Sequence, residues 1–176
     1  MAFDRIIKSE EFMTKEKKRA LYAGTFDPFT NGHEDIVNRA LGVFDEITIL
    51  IAISPSKEPL FTKDERVAML EEHFSSNKNI VIDTWDGLVV EYARKKGIGN
   101  LIRGLRPTGD FESEFQMAAM NTKLHPEIET YFLMTAGKHY FISSTMVREV
   151  YGHGGDIIPF VPNTVGKYLD KKRKDV

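Results

Sequence analysis

A parallel α/β sheet with helices on both faces is the fold class this sequence predicts, and three observations carry it. Short strand-like runs alternate with segments of helical period along the chain, and no internal repeat or low-complexity linker interrupts them. One of those runs, EITILIAI at 46–53, is β-branched with an unbroken apolar core, the pattern of a strand covered on both faces. Polar segments marked by glycine, proline and serine follow the strand-like runs, where an open parallel sheet has its ligand crevice.

The elements follow in order. Residues 19–23 make a short first strand, and 33–44 an amphipathic helix with Ile36, Val37, Ala40, Leu41 and Phe44 on one face. The 46–53 run is the second strand. Residues 62–74 form a helix that opens on Thr62-Lys63-Asp64-Glu65, a capping-box sequence, and turns Val67, Leu70 and Phe74 inward. A third strand at 80–83 is followed by a helix over 88–96 that Gly97 ends. Residues 100–103 make a fourth strand, 110–124 a helix that stops at His125-Pro126, and 129–134 a fifth strand. The helix over 143–151 takes Ser143 or Ser144 as its cap and stops near Gly152, Gly154 and Gly155; a last helix begins after Pro162. The sum is a Rossmann-like, doubly wound, five-stranded parallel sheet with additional C-terminal helices.

A length of 176 residues suits one domain. That domain spans 19–176, behind a flexible N-terminal extension at 1–18 whose first twelve residues have no part in the chemistry. A net charge of −2 argues against a broad basic surface for nucleic acid. The basic run Lys171-Lys172-Arg173-Lys174 reads as a solvated helix end. No apolar run approaches the roughly 18–20 residues that cross a bilayer, and the charged N-terminus lacks the apolar segment of a secretory signal. Cysteine is absent, which excludes disulfides, thiolate zinc sites and cysteine nucleophiles and fits a cytoplasmic setting.

The polar segments at 24–33, 54–57, 103–110 and 136–144 all follow strand ends, so they should converge on one edge of the sheet. Residues 24–33 can be a turn stiffened by Pro28 and bent at Asn31-Gly32. They can equally be an anion cradle, with Thr25 and His33 facing a phosphate over a helix N-terminus whose N–H groups and dipole favour negative charge. The segment matches neither the P-loop nor the G-x-G-x-x-G pattern. Lys57 is a plausible phosphate contact at the same edge. Arg103-Gly104-Leu105-Arg106 places two guanidinium forks at a strand end, suited to bidentate phosphate binding; salt bridges to Asp110, Glu112 or Glu114 are the other reading, and the two are not exclusive. Ser143, Ser144 and Thr145, with Arg148 beyond, bring hydroxyls and N–H groups to another helix start. The alternating acids 110, 112 and 114 cannot share one helix face, and the five histidines have no zinc-ligand spacing.

With those residues assembled, the chain resembles the bacterial phosphopantetheine adenylyltransferases from about Arg19 to about Lys171. GTFDPFTNGH resembles that family's form of the nucleotidyltransferase histidine motif, with Thr30-Asn31-Gly32-His33 as the T/H-x-G-H element. SPSKEPLFT, LIRGLRPTGDFESEFQMAAMN and FISSTMVREV resemble three further signatures in the family's order, and the RGLR block is the most specific of them. Ala23 departs from the family's usual proline, Ser113 from a common aromatic and His139 from a frequent tryptophan.

The resemblance implies reversible transfer of the adenylyl group of ATP to 4′-phosphopantetheine, with Mg²⁺ arriving on the nucleotide. It implies that Thr25 and His33 contact the transferred phosphate, that Lys57 and Arg106 hold phosphates, and that Arg103 binds the acceptor or bridges both substrates. Gly24, Phe26, Gly104, Glu114, Ser143, Ser144 and Thr145 would frame ATP; Leu88, Val89 and Asn121 would line the pantetheine channel. It further implies a cytoplasmic homohexamer inhibited by coenzyme A. A related enzyme with another acceptor, a nucleotide-binding module without turnover, or a flavodoxin-like carrier would share much of this pattern.

Overall fold

The computed structural model describes residues 17–53, 59–107 and 110–174. Its elements are β1 (Arg19–Gly24), α1 (Asn31–Ala40), β2 (Glu46–Ala52), α2 (Lys63–His73), β3 (Ile80–Trp85), α3 (Val89–Lys96), β4 (Asn100–Leu105), α4 (Asp110–Leu124), β5 (Glu129–Met134), α5 (Ser144–Gly152), a 3₁₀ turn (Ile158–Phe160) and α6 (Asn163–Lys174). The proposed extension at 1–18 lies almost wholly outside the described residues.

The five strands run in the order β3-β2-β1-β4-β5, every neighbouring pair parallel. The chain winds outward from β1 through β2 to β3, then crosses back and winds the other way through β4 to β5. The order therefore reverses between β1 and β4, and a crevice opens outside their carboxyl ends. Gly24 ends one of these strands and Leu105 the other.

The alternation of side chains along β1 divides the core in two. Ala20 and Tyr22 face a cluster with Ile36, Val37, Met69, Leu70, Val147, Val165 and Leu169, which packs α1, α2, α5 and α6 on that side. Leu21 and Ala23 face the opposite cluster with Val90, Tyr92 and Ala93 of α3. Burial on both faces explains why β2 reads as a continuous apolar run.

Local signals set most boundaries. Thr62 caps α2, its hydroxyl accepting the Glu65 N–H while the Glu65 carboxylate accepts the Thr62 N–H. Gly97 ends α3 at φ +63°, a backbone region that glycine reaches without a Cβ penalty. Helix α1 starts at Asn31, two residues before the expected position, because Thr30 rather than a later residue caps it. Strands β3 and β4 extend to Trp85 and Leu105, since their last residues still pair with β2 and β5. In α2 the fully buried side chains are Met69 and Leu70, with Val67 and Phe74 only partly covered. The basic end of α6 is used in packing: Lys172 Nζ donates to Glu65 at 3.1 Å and the Arg173 guanidinium lies over the Tyr151 ring.

Candidate active site

The turn after β1 is shaped from its first residue. A Cβ on Gly24 would stand 3.0 Å from the Phe26 ring, so a larger residue there would push against the ring where it folds back onto the strand end. Phe26 is itself buried with φ +47°, a backbone conformation uncommon for a non-glycine residue, and its ring meets the His33 ring edge-on at 5.2 Å. Thr30 then caps α1 in a reciprocal pair with His33, the third helical residue. The Thr30 hydroxyl accepts the His33 N–H at 3.4 Å, and His33 Nδ1 accepts the Thr30 N–H at 3.0 Å.

That pair decides the chemistry of the imidazole. With Nδ1 accepting, the proton of the neutral ring sits on Nε2. Burial, helped by the Arg106 guanidinium, lowers the His33 pKa to about 4, so the ring is neutral at physiological pH. A neutral imidazole with its proton on Nε2 is a hydrogen-bond donor and not a base at that atom.

The end of β4 supplies the opposite wall. Arg103 is held by a two-pronged bridge to Glu114 of α4, Nε to Oε2 at 2.5 Å and the terminal nitrogen to Oε1 at 2.6 Å, while a third N–H reaches the Ala23 carbonyl at 2.8 Å. The salt-bridge reading of this arginine thus holds, with Glu114 as the acid that orients it. Helix α4 runs Glu114, Met117 and Asn121 along one face, at a spacing that repeats every turn.

The start of α5 closes the site. Ser143 caps the helix by accepting the Met146 N–H at 3.1 Å, and the Ser144 hydroxyl donates to the Pro28 carbonyl at 2.8 Å. Ser144 therefore serves as a strut between α5 and the β1–α1 turn. Two residues omitted from the expected site, Asp27 and Arg66, complete the frame. Buried Asp27 accepts the Leu60 N–H at 2.8 Å, the Phe61 N–H at 2.9 Å and an Arg148 N–H at 3.0 Å. Arg66, also buried, donates to the Thr25 carbonyl at 2.8 Å. A charged residue inside an otherwise apolar turn (Asp27 within TFDPF) was the available signal; Arg66, on a helix with many charges, carried none.

Three cavities adjoin at this edge, one of them between the β1–α1 turn and Arg66, Ser144 and Arg148; the other two hold the expected site residues. The first, about 280 Å³, is lined by Gly24, Thr25, Phe26, His33, Gly104, Arg106, Glu114, Ser143, Ser144 and Thr145, which are all the residues assigned to ATP from sequence. The second, about 260 Å³, is lined by Leu88, Val89 and Asn121, with Met117 beside them. Arg103 and Ala23 belong to both. The segments expected at 24–33, 103–110 and 136–144 thus share one edge among the described residues. Lys57 lies outside the described residues. Ala23 stands within β1, as the sequence indicates, paired with Leu50.

A family model described as cytidylyltransferase-like matches residues 21–150. A protein of Leptospira biflexa named phosphopantetheine adenylyltransferase is 48% identical over 156 residues, 89% of this chain and 98% of that one. A Heliobacterium modesticaldum protein of the same name is 46% identical over 156 residues, 89% and 93% of the two chains. Among solved structures, one assigned as a nicotinate-nucleotide adenylyltransferase of Vibrio parahaemolyticus superposes with a TM-score of 0.63 at 17% identity, covering 87% of this chain and 98% of that one. That likeness concerns the fold.

Proposed function

The chain belongs to the phosphopantetheine adenylyltransferases, within the cytidylyltransferase-like family, and from that premise we propose that it transfers the adenylyl group of ATP reversibly to 4′-phosphopantetheine, giving dephospho-coenzyme A and pyrophosphate. The observation that carries the assignment to these residues is the junction of the two cavities at Arg103, one polar and fitted to a nucleotide, the other lined by Leu88, Val89 and Met117 and fitted to a pantetheine arm.

The reaction asks little proton chemistry of the protein. A phosphate monoester has its second pKa near 6, so the attacking oxygen is anionic at neutral pH. That oxygen attacks the α-phosphorus, the bond to the bridging oxygen of the β-phosphate breaks, and pyrophosphate leaves. The difficulty lies in bringing two anions together in line and stabilising the charge that builds on the α-phosphoryl oxygens. In this reading His33 Nε2–H and Thr25 donate to those oxygens. Arg106 and Lys57 hold phosphates, and Arg103, kept in place by Glu114, lies between acceptor and nucleotide. Gly24, Phe26, Gly104, Ser143, Ser144 and Thr145 frame the nucleotide, and Asn121 contacts the pantetheine amides.

No group of three or more His, Asp or Glu among the described residues could hold a metal. Mg²⁺ in this proposal comes with ATP and offsets phosphate charge. Coenzyme A shares both the adenosine and the pantetheine parts of the product, which supports a role as feedback inhibitor spanning the two cavities. No helix among the described residues is long and apolar enough to cross a membrane; a cytoplasmic place follows from the substrates proposed. The decisive assay offers 4′-phosphopantetheine, nicotinamide mononucleotide and glycerol phosphate in turn, with and without Mg²⁺, and runs the reverse reaction from pyrophosphate. Pyrophosphate release with 4′-phosphopantetheine alone is expected. Faster turnover with either other acceptor would refute the assignment.

A further inference from the structure

The floor of the nucleotide cavity carries a polar group that none of the roles above uses. Tyr22 stands on β1 two residues before Gly24, facing α1. It is only 6% exposed; its ring meets the Phe26 ring edge-on at 5.3 Å and lies 6.3 Å from the His33 ring. Its hydroxyl is not among the buried, unpartnered polar atoms of the described residues, so it reaches open space. It opens into the cavity beside Gly104, where a Cβ on that glycine would come within 3.6 Å of it.

A hydroxyl that opens into this cavity takes its hydrogen-bond partner from whatever occupies the cavity, water or a ligand. Burial raises the Tyr22 pKa above the ordinary tyrosine value, with Arg103 and Arg106 opposing and Glu114 reinforcing, so the group is a protonated donor at neutral pH. Tyr22 lines the nucleotide cavity but not the one at Leu88. We infer that Tyr22 is a nucleotide-contacting residue, its hydroxyl donating a hydrogen bond to an oxygen of the nucleotide bound against Gly104. This rests on the reading of that cavity as the ATP site.

Tyr22→Phe removes one oxygen and keeps the buried ring. ATP binding measured by calorimetry without acceptor should weaken about tenfold, the loss of one hydrogen bond from a buried site, while the melting temperature and the KM for 4′-phosphopantetheine hold. ATP affinity within about twofold of wild type would overturn the inference. So would a change confined to the acceptor KM, which would show the phenol acting only through the Arg103–Glu114 bridge. If the variant does not fold, wild-type protein labelled with ¹³Cζ-tyrosine serves instead: the Tyr22 resonance should move on saturation with ATP, and an unmoved resonance overturns it. Wild-type protein that binds ATP yet transfers nothing to any acceptor would refute the proposed reaction alone, and a weakened Tyr22→Phe complex would still support the contact.

Discussion

His33 gives one ring nitrogen to the backbone of Thr30 and leaves the other for the cavity, so one side chain is a helix cap and, in the proposed reaction, the donor to the nucleotide. Replacing it with alanine removes both. His33→Gln separates them, because glutamine at this helical position can still accept the cap N–H. We expect His33→Gln to fold normally and bind ATP, with kcat lower by about 10²–10³, the usual loss for one donor aimed at developing charge. An unchanged kcat would show that His33 is a cap only. The depressed pKa has a stability consequence with a definite sign. Between pH 6.5 and about 4 the unfolded chain binds a proton at His33 that the native chain does not, so stability rises with pH through that window. The contribution is complete above pH 6.5 and is lost as the pH falls toward 4, at most about 3 kcal/mol. Urea unfolding across this range should show the dependence in wild type and a flatter profile in His33→Gln.

At the scale of elements, Asp27 is where three parts of the site are joined. The turn after β1, residues 60 and 61 ahead of α2, and α5 through Arg148 all meet its carboxylate. Removing it leaves two backbone N–H groups and a guanidinium without their acceptor. Asp27→Ala should therefore cost about 3 kcal/mol by denaturant unfolding, and Asp27→Asn less, since an amide oxygen still accepts. A loss below about 0.5 kcal/mol for the alanine variant would mean that water replaces the carboxylate. Cap signals at this scale were legible in the sequence: Thr62 with Glu65, Gly97 and Ser143 all act where their residue types indicate. The capping role of His33 was not, because histidine is not the residue expected opposite a threonine cap.

At the scale of the whole molecule, α4 and the edge strand β5 leave apolar surface uncovered. Phe111, Phe115, Met120 and Leu124 of α4 are each more than half exposed, with the Phe111 and Phe115 rings stacked at 5.8 Å, and Met134 ends β5 equally open. So much open apolar side chain on one helix is unusual for a monomer, and it fits the homohexamer that the family resemblance implies, with copies packing through α4. The same helix carries Glu114 and Asn121, which line the two cavities, so assembly and site geometry would be linked. Size-exclusion chromatography with light scattering should give six copies for wild type and fewer for Phe115→Glu combined with Met120→Glu, at unchanged helicity. A monomeric wild type at micromolar concentration would remove the proposal.

Sequence alone determined the fold class, the strand order of events along the chain and the identity of the polar segments, because period, capping residues and glycine act over a few neighbouring positions. It also marked Thr25, His33, Arg103, Arg106 and Ser143 as chemical, since their types suit phosphate at strand ends. Only the tertiary structure decided that β1 and β4 are neighbours, which turns residues 80 positions apart into one wall, as in the Arg103 bond to the Ala23 carbonyl. It likewise decided which His33 nitrogen carries the proton, that Glu114 rather than Glu112 holds Arg103, and that Asp27, Arg66 and Tyr22 belong to the site. Those outcomes depend on burial and on distance across the sheet, quantities that exist only once the two faces of the sheet have been covered.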